Sequence, residues 1–264
     1  MKTILAGALL LAIPSAVLGQ TATAPNPLAT RRGFEVGGQI AHYHYEEPGV
    51  MNLIGPRIGA VGSFTFAQVG LFFRAEVRGS YGRLKYQGTG TQDNVPDSIF
   101  ETRFLVGKDF PVGDKIVLSS YGGLGYRALY NDLRGYTQSG GVTYAGYRRY
   151  SKYAYAPVGL TGRIALRDRW VLAPTVEYDL FIRGRQDSML SDVGGCNQDV
   201  TNTQTHGYGY RAAFMVENSR FAFGPWLHSW SIGDSDLQPA GCGQLGREPK
   251  NWTRESGIEF RYRF

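Results

Sequence analysis

Hydrophobic and polar residues alternate along most of this chain. In LFFRAEVRGSYG, residues 71–82, Phe73, Ala75 and Val77 point one way while Arg74, Glu76, Arg78 and Ser80 point the other, which is the two-residue period of a strand with one apolar and one charged face. The same split sets Phe100, Thr102, Phe104 and Val106 against Glu101 and Arg103, and Tyr210, Ala212 and Phe214 against Arg211. The chain ends on GIEFRYRF, where Ile258, Phe260, Tyr262 and Phe264 alternate with Glu259, Arg261 and Arg263. Read this way, strands are predicted over 33–45, 56–66, 69–84, 98–108, 115–130, 150–166, 169–183, 205–216, 220–232 and 254–264. The connections at 67–68, 109–114, 167–168 and 217–219 are short, and those at 46–55, 85–97, 131–149, 184–204 and 233–253 are long. Short and long alternate without exception, a sorting by strand parity that a soluble sandwich has no reason to make and a membrane-spanning barrel does.

Composition sharpens the choice of solvent for each face. Glycine is 36 of 264 residues, about twice the usual ~7%, and aromatics are 13%. Only Lys2, Lys85, Lys108, Lys115, Lys152 and Lys250 are lysines, so 22 of the 28 basic residues are arginine. A charged face turned to water would carry more lysine, whereas the rigid guanidinium fork suits enclosed pairing with carboxylates. The expectation is therefore an inverted, all-β protein: a closed antiparallel transmembrane β-barrel of about ten strands with short periplasmic turns and long extracellular loops. Its apolar residues face lipid, where a closed sheet pairs every backbone group. Its charges face a narrow lumen, glycine relieves crowding there, and Tyr43, Tyr45, Tyr81, Tyr126, Tyr130, Tyr153 and Tyr155 are expected in aromatic belts.

The N-terminus adds an address. Lys2 precedes an apolar run from Ile4 to Ile13, Pro14 breaks it, and Val17-Leu18-Gly19 offers a small-residue cleavage site. Residues 1–19 read as a signal peptide, 20–32 as a flexible lead-in and 33–264 as the barrel. No later apolar run approaches the roughly 18 residues of a membrane helix. The formal charge of +6 suggests nucleic acid, but an exported protein is not expected to meet any.

Residues 33–264 resemble a small outer-membrane β-barrel of Gram-negative bacteria, in the broad porin-like group with the membrane domain of OmpA. Phe264, with Ile258, Phe260 and Tyr262 at alternate positions before it, resembles the signal read by the barrel-assembly machinery, and HYHYEEPG, DLRGY and GYRRYS look like pieces of an uncharacterised family of this type. The resemblance implies residence in the outer membrane, with lipid, lipopolysaccharide and the assembly machinery as partners and an unknown extracellular ligand.

Candidate chemistry is sparse. Cys196 and Cys242 lie in loops flanking one hairpin and are expected to form a disulfide in an oxidising envelope. The lumen is expected to hold Arg57, Arg74, Arg78, Arg103, Arg127, Arg163, Arg183, Arg211 and Arg261 against Glu35, Glu76, Glu101, Glu177, Asp179 and Glu259. This set reads as a plug of mutual salt bridges or, with more cations than anions, as a narrow anion-favouring pore. The omptin proteases carry an aspartate two positions before a histidine, but Ile40, His42, Gln204 and Trp226 hold that place for the four histidines here. His228 and Ser229 are strand neighbours and point to opposite faces, so they cannot form the paired site of a lipid hydrolase. His42 and His44 share a face without a further ligand and read as part of the belt. No cofactor, metal or catalytic site is expected. The function expected is a structural or surface-interaction role in the envelope, with a weakly anion-selective pore as the alternative and an outer-membrane protease or lipid-modifying enzyme behind both.

Overall fold

A computed structural model describes residues 28–264. The signal peptide read from residues 1–19 and the first part of the lead-in lie outside the described residues. Ten strands close into one antiparallel barrel: β1 (Gly33–Glu47), β2 (Met51–Gln68), β3 (Leu71–Gly88), β4 (Gly90–Val112), β5 (Ile116–Asp132), β8 (Arg148–Ala165), β9 (Val171–Ser188), β11 (Gly207–Glu217), β12 (Phe221–Ile232) and β15 (Asn251–Arg263). Pairing of β1 with β15 shuts the sheet, with Ile40 opposite Ile258 on one side and Ile58 on the other. Outside the main wall, β6 (Tyr136–Ser139) and β7 (Val142–Ala145) form a hairpin, as do β13 (Gln238–Gly241) and β14 (Gln244–Gly246), while β10 (Val200–Gln204) extends the wall along β9.

The inversion is visible in which face is covered. Ile58 is 68% exposed, Phe104 64%, Leu124 63% and Val176 60%, whereas Glu101, Arg127, Glu177 and Asp179 are all buried inside. On β3 the outward apolar run goes from Leu71 through Phe73 and Val77 to Tyr81 before Arg83 and Lys85 replace it. That run covers roughly 33 Å of strand, which a tilt of about 40° projects to roughly 25 Å, the height of a barrel's apolar band. Glycines make room for large inward rings: a Cβ at Gly125 would stand 2.2 Å from Tyr155, and one at Gly159 2.3 Å from Tyr121.

At the terminal rim the turns are tight. Val69 and Gly70 both take positive φ, 50° and 77°, the conformation that matches a two-residue hairpin to strand twist. The opposite rim departs from the sequence expectation. Two of its five connections, read as loops over 46–55 and 85–97, are strand nearly throughout: β1 and β2 are joined by residues 48–50, and β3 and β4 by Thr89 alone. These hairpins project past the exposed apolar band, and although Leu53 and Val95 still pack inward, polar residues occupy positions on both faces, so the period-two signal fades while the backbone pairing continues.

Candidate functional site

Inward side chains stack in layers along the barrel axis. Nearest the termini, Arg263 lies 2.7 Å from Glu35 and 2.5 Å from Glu217, and Arg163 reaches Glu217 at 3.5 Å. Residues 28–31 are held at this mouth. Leu28 packs on Val117 and Val171, the Thr30 backbone N–H and hydroxyl donate to Asp109 at 2.6 and 2.7 Å, and Arg31 donates to the Asn218 carbonyl. Residues 28–32, expected as part of a flexible lead-in, are thus seated against the barrel by burial and hydrogen bonds.

The middle layer is a continuous ion network. Arg103 bridges Glu76 and Glu177, each at 2.6 Å, and Tyr121 donates to the second oxygen of Glu177 at 2.8 Å. Arg211 reaches Glu101 at 2.6 Å, Glu177 at 2.8 Å and Asp179 at 3.0 Å. Arg127 pairs with Glu255 at 2.8 Å, Arg57 with Asp97, and Arg261 with Glu259 at 2.5 Å and Glu76 at 3.2 Å. Two guanidinium groups find other partners: Arg74 donates to Thr65, and Arg78 donates to Gln39 while stacking 3.8 Å over Trp226. Enclosed charges need such mutual satisfaction because burial strips their water.

Above the network an apolar layer crosses the lumen. Tyr43, Leu53, Leu84, Val95, Ile99, Leu129, Tyr153, Tyr155, Trp230 and Ile232 form one buried cluster. Trp230 donates to His228 Nε2 at 2.6 Å, which makes that nitrogen the acceptor of a neutral ring. His228 Nε2 also lies 3.4 Å from Asp179, and both are almost wholly enclosed.

Several sequence expectations change here. Arg183 is exposed on the outer wall and is not part of the lumen set. The register of β8 against β9 slips beside Ala154 and Tyr155, opposite Phe181 and Arg183, so Ile182 is an extra residue: Phe181 keeps the inward phase of Asp179 and packs on the apolar layer, while Arg183 turns outward. Tyr43, Tyr45, Tyr153 and Tyr155 are interior, not belt residues, while Tyr81 and Tyr126 are exposed on the outer wall. The excess of lumen cations also disappears, since Asp97, Asp109, Glu217 and Glu255 join the inward set. Continuing the strand parity would have found Asp97 and Glu255, which share phase with Glu101 and Glu259. Buried Glu47 and Arg149 likewise continue the phase of Tyr45 and of Ser151 on their strands, whereas Glu248 has no such signal, because it arrives from an irregular segment. The other lumen residues named from the sequence, Arg57, Arg74, Glu76, Arg78, Glu101, Arg103, Arg127, Arg163, Glu177, Asp179, Arg211, Glu259 and Arg261, all face inward.

Cys196 and Cys242 are joined as a disulfide, Cα atoms 5.2 Å apart, tying the segment after β9 to the β13–β14 hairpin. Ile258, Phe260, Tyr262 and Phe264 are all exposed on the outer wall, Phe264 at its edge. His42 and His44 also face outward, His44 edge-on to Trp252. Among the described residues no group of three or more His, Cys, Asp or Glu is placed to hold a metal ion.

No family model matches the chain, and no curated protein matches it. Solved structures do. The outer membrane protease OmpT from Escherichia coli aligns over 88% of this chain and 96% of its own with a TM-score of 0.54 at 9% identity. The translocator domain of the autotransporter NalP from Neisseria meningitidis aligns over 89% and 90% with a TM-score of 0.40 at 11% identity, and Neisserial surface protein A over 88% and 97% with a TM-score of 0.37 at 11% identity. At such identities the likeness to OmpT is one of fold, and this chain is a closed ten-stranded antiparallel β-barrel whose structural neighbours are outer-membrane β-barrels.

Proposed function

We propose that the protein is an outer-membrane barrel with a sealed lumen that acts through its outer surface, as a non-enzymatic structural or interaction protein of the envelope. The termini face the periplasm, and the hairpins and the disulfide-tied loops face outward. The observation that carries this reading is the apolar layer. Leu53, Tyr155 and Val95 have no exposed surface and Trp230 almost none, and beneath them the inward charges described above are engaged with one another or with fixed polar groups. A pore would need that layer to move aside, and the balance of inward charge removes the argument for an anion-favouring wall. The buried His228 and Asp179 pair lies under the same layer, out of reach of a polymeric substrate, which argues against a protease despite the fold shared with OmpT.

Planar-bilayer recording tests the reading. Purified, folded protein is expected to give no steady single-channel conductance, and replacing Trp230 and Tyr155 by Ala is expected to open one. Steady conductance from the unaltered protein, altered by Arg103→Ala, would contradict it.

A further inference from the structure

Above the apolar layer the outer mouth opens into a cup of about 390 Å³, roofed in part by the β6–β7 hairpin and the segment that carries Glu248. Its floor is an ion cluster with an odd charge. Arg149 Nη2 lies 2.6 Å from Glu47 Oε1 and in closer contact with Glu248 Oε1. The Tyr45 hydroxyl donates to Glu47 at 2.7 Å and lies 3.2 Å from Glu248. All four residues are buried. One guanidinium thus faces two carboxylates, and the Arg149 Nε–H has no partner. An enclosed cluster with a surplus negative charge is costly until a proton or a further cation joins it.

The walls favour a particular kind of cation. Tyr86, Tyr144 and Tyr147 line the cup with Met51 and Leu133, and Tyr144 is partly exposed at its mouth. Aromatic faces attract an ammonium and also cover an apolar body. An anion would meet Glu47 and Glu248 with the exposed Arg247 and an Arg149 already engaged by both carboxylates to attract it, and a neutral ligand would leave the surplus charge as it was.

We propose that this cup is a binding site for a small organic cation, a primary ammonium on an apolar or aromatic body, with the ammonium on the cup side of the Glu47–Glu248 cluster and the body against the tyrosines. The proposal rests on the surface-acting reading above and names the class of ligand it would take.

The test is calorimetry on the detergent-solubilised, folded protein at pH 8 with three probes of similar shape: 2-phenylethylamine, 2-phenylethanol and 3-phenylpropanoate. The amine is expected to bind at least tenfold more tightly than either of the others. Glu248→Gln and Glu47→Gln are each expected to weaken the amine by tenfold or more while leaving the alcohol unchanged. Leu133→Trp, which fills the cup and spares the ion cluster, is expected to remove amine binding with the heat-modifiable electrophoretic shift of the barrel intact. Equal binding of the three probes, preference for the carboxylate, no detectable amine binding, or an unaltered preference in Glu248→Gln would overturn the proposal. Its failure is distinct from failure of the sealed-lumen reading: a silent barrel without amine preference refutes only the site, and a conducting barrel that selects the amine refutes only the seal.

Discussion

At the scale of single residues, what a side chain contributes depends on which side of a one-sheet wall it occupies. Arg211 and Arg183 are both arginines on long strands, yet Arg211 is held among Glu101, Glu177 and Asp179 and Arg183 stands exposed. Removing Arg211 leaves enclosed carboxylates without their partner, so Arg211→Ala is expected to cost about 3–5 kcal/mol, and Arg183→Ala to stay within about 0.5 kcal/mol. Reversible urea unfolding in phospholipid bilayers measures both. Phe104→Arg belongs to the same test. It places charge on the exposed apolar band and is expected to cost about 2–4 kcal/mol if it sits near mid-bilayer, with Phe104→Leu nearly neutral. Most inward positions were legible from parity alone, because Arg74, Glu76 and Arg78 alternate with apolar residues on one strand. Arg183 was not, because a bulge adds one residue and nothing in the local sequence marks it. Nor were Tyr43, Tyr45, Tyr153 and Tyr155, since a tyrosine suits a membrane interface and a crowded interior equally well.

At the scale of elements, the outer rim is built from extended hairpins and two loops tied together. The Cys196–Cys242 bond joins segments already linked by pairing of Asn197 with Gly241, so it acts on the loops and not on the wall. Reduction is expected to raise proteolytic cleavage within 189–199 and 233–250 several-fold while the barrel keeps its heat-modifiable mobility; loss of that mobility would assign the bond to the wall. Glu248 gives the same rim a pH dependence. Burial pushes its carboxyl up to about 7, with Glu47 adding to the shift and Arg149 opposing it. The folded value lies above that of an unfolded glutamate, near 4.3. The group's contribution to docking of its segment is therefore fully present below about pH 4.3 and lost as pH rises through about 7, by no more than about 4 kcal/mol. Hydrogen exchange over 233–250 is expected to be slower at pH 5 than at pH 8 once corrected for intrinsic rates; equal or greater protection at pH 8 would contradict this. These hairpins were the least legible part of the chain. Stretches such as TGTQDNVPD carry polar residues on both faces and so read as loops, although their strand pairing persists with Tyr86 opposite Gln92 and Gly88 opposite Gly90.

At the scale of the whole molecule, the account rests on one inversion, with hydrocarbon outside and ion pairs within. The alternation that announced it lies in the band where the two faces differ most, which is why the closed barrel was legible while the apolar seal above the network was not. Site-directed spin labelling in reconstituted liposomes tests the inversion most directly. Nitroxides placed singly at Phe104, Val176 and Ile258, with the disulfide intact, are expected to collide readily with dissolved oxygen and hardly at all with a water-soluble nickel chelate. A label at Gly140 on the β6–β7 hairpin is expected to show the reverse. Free access of the nickel chelate to the three wall positions would contradict the account.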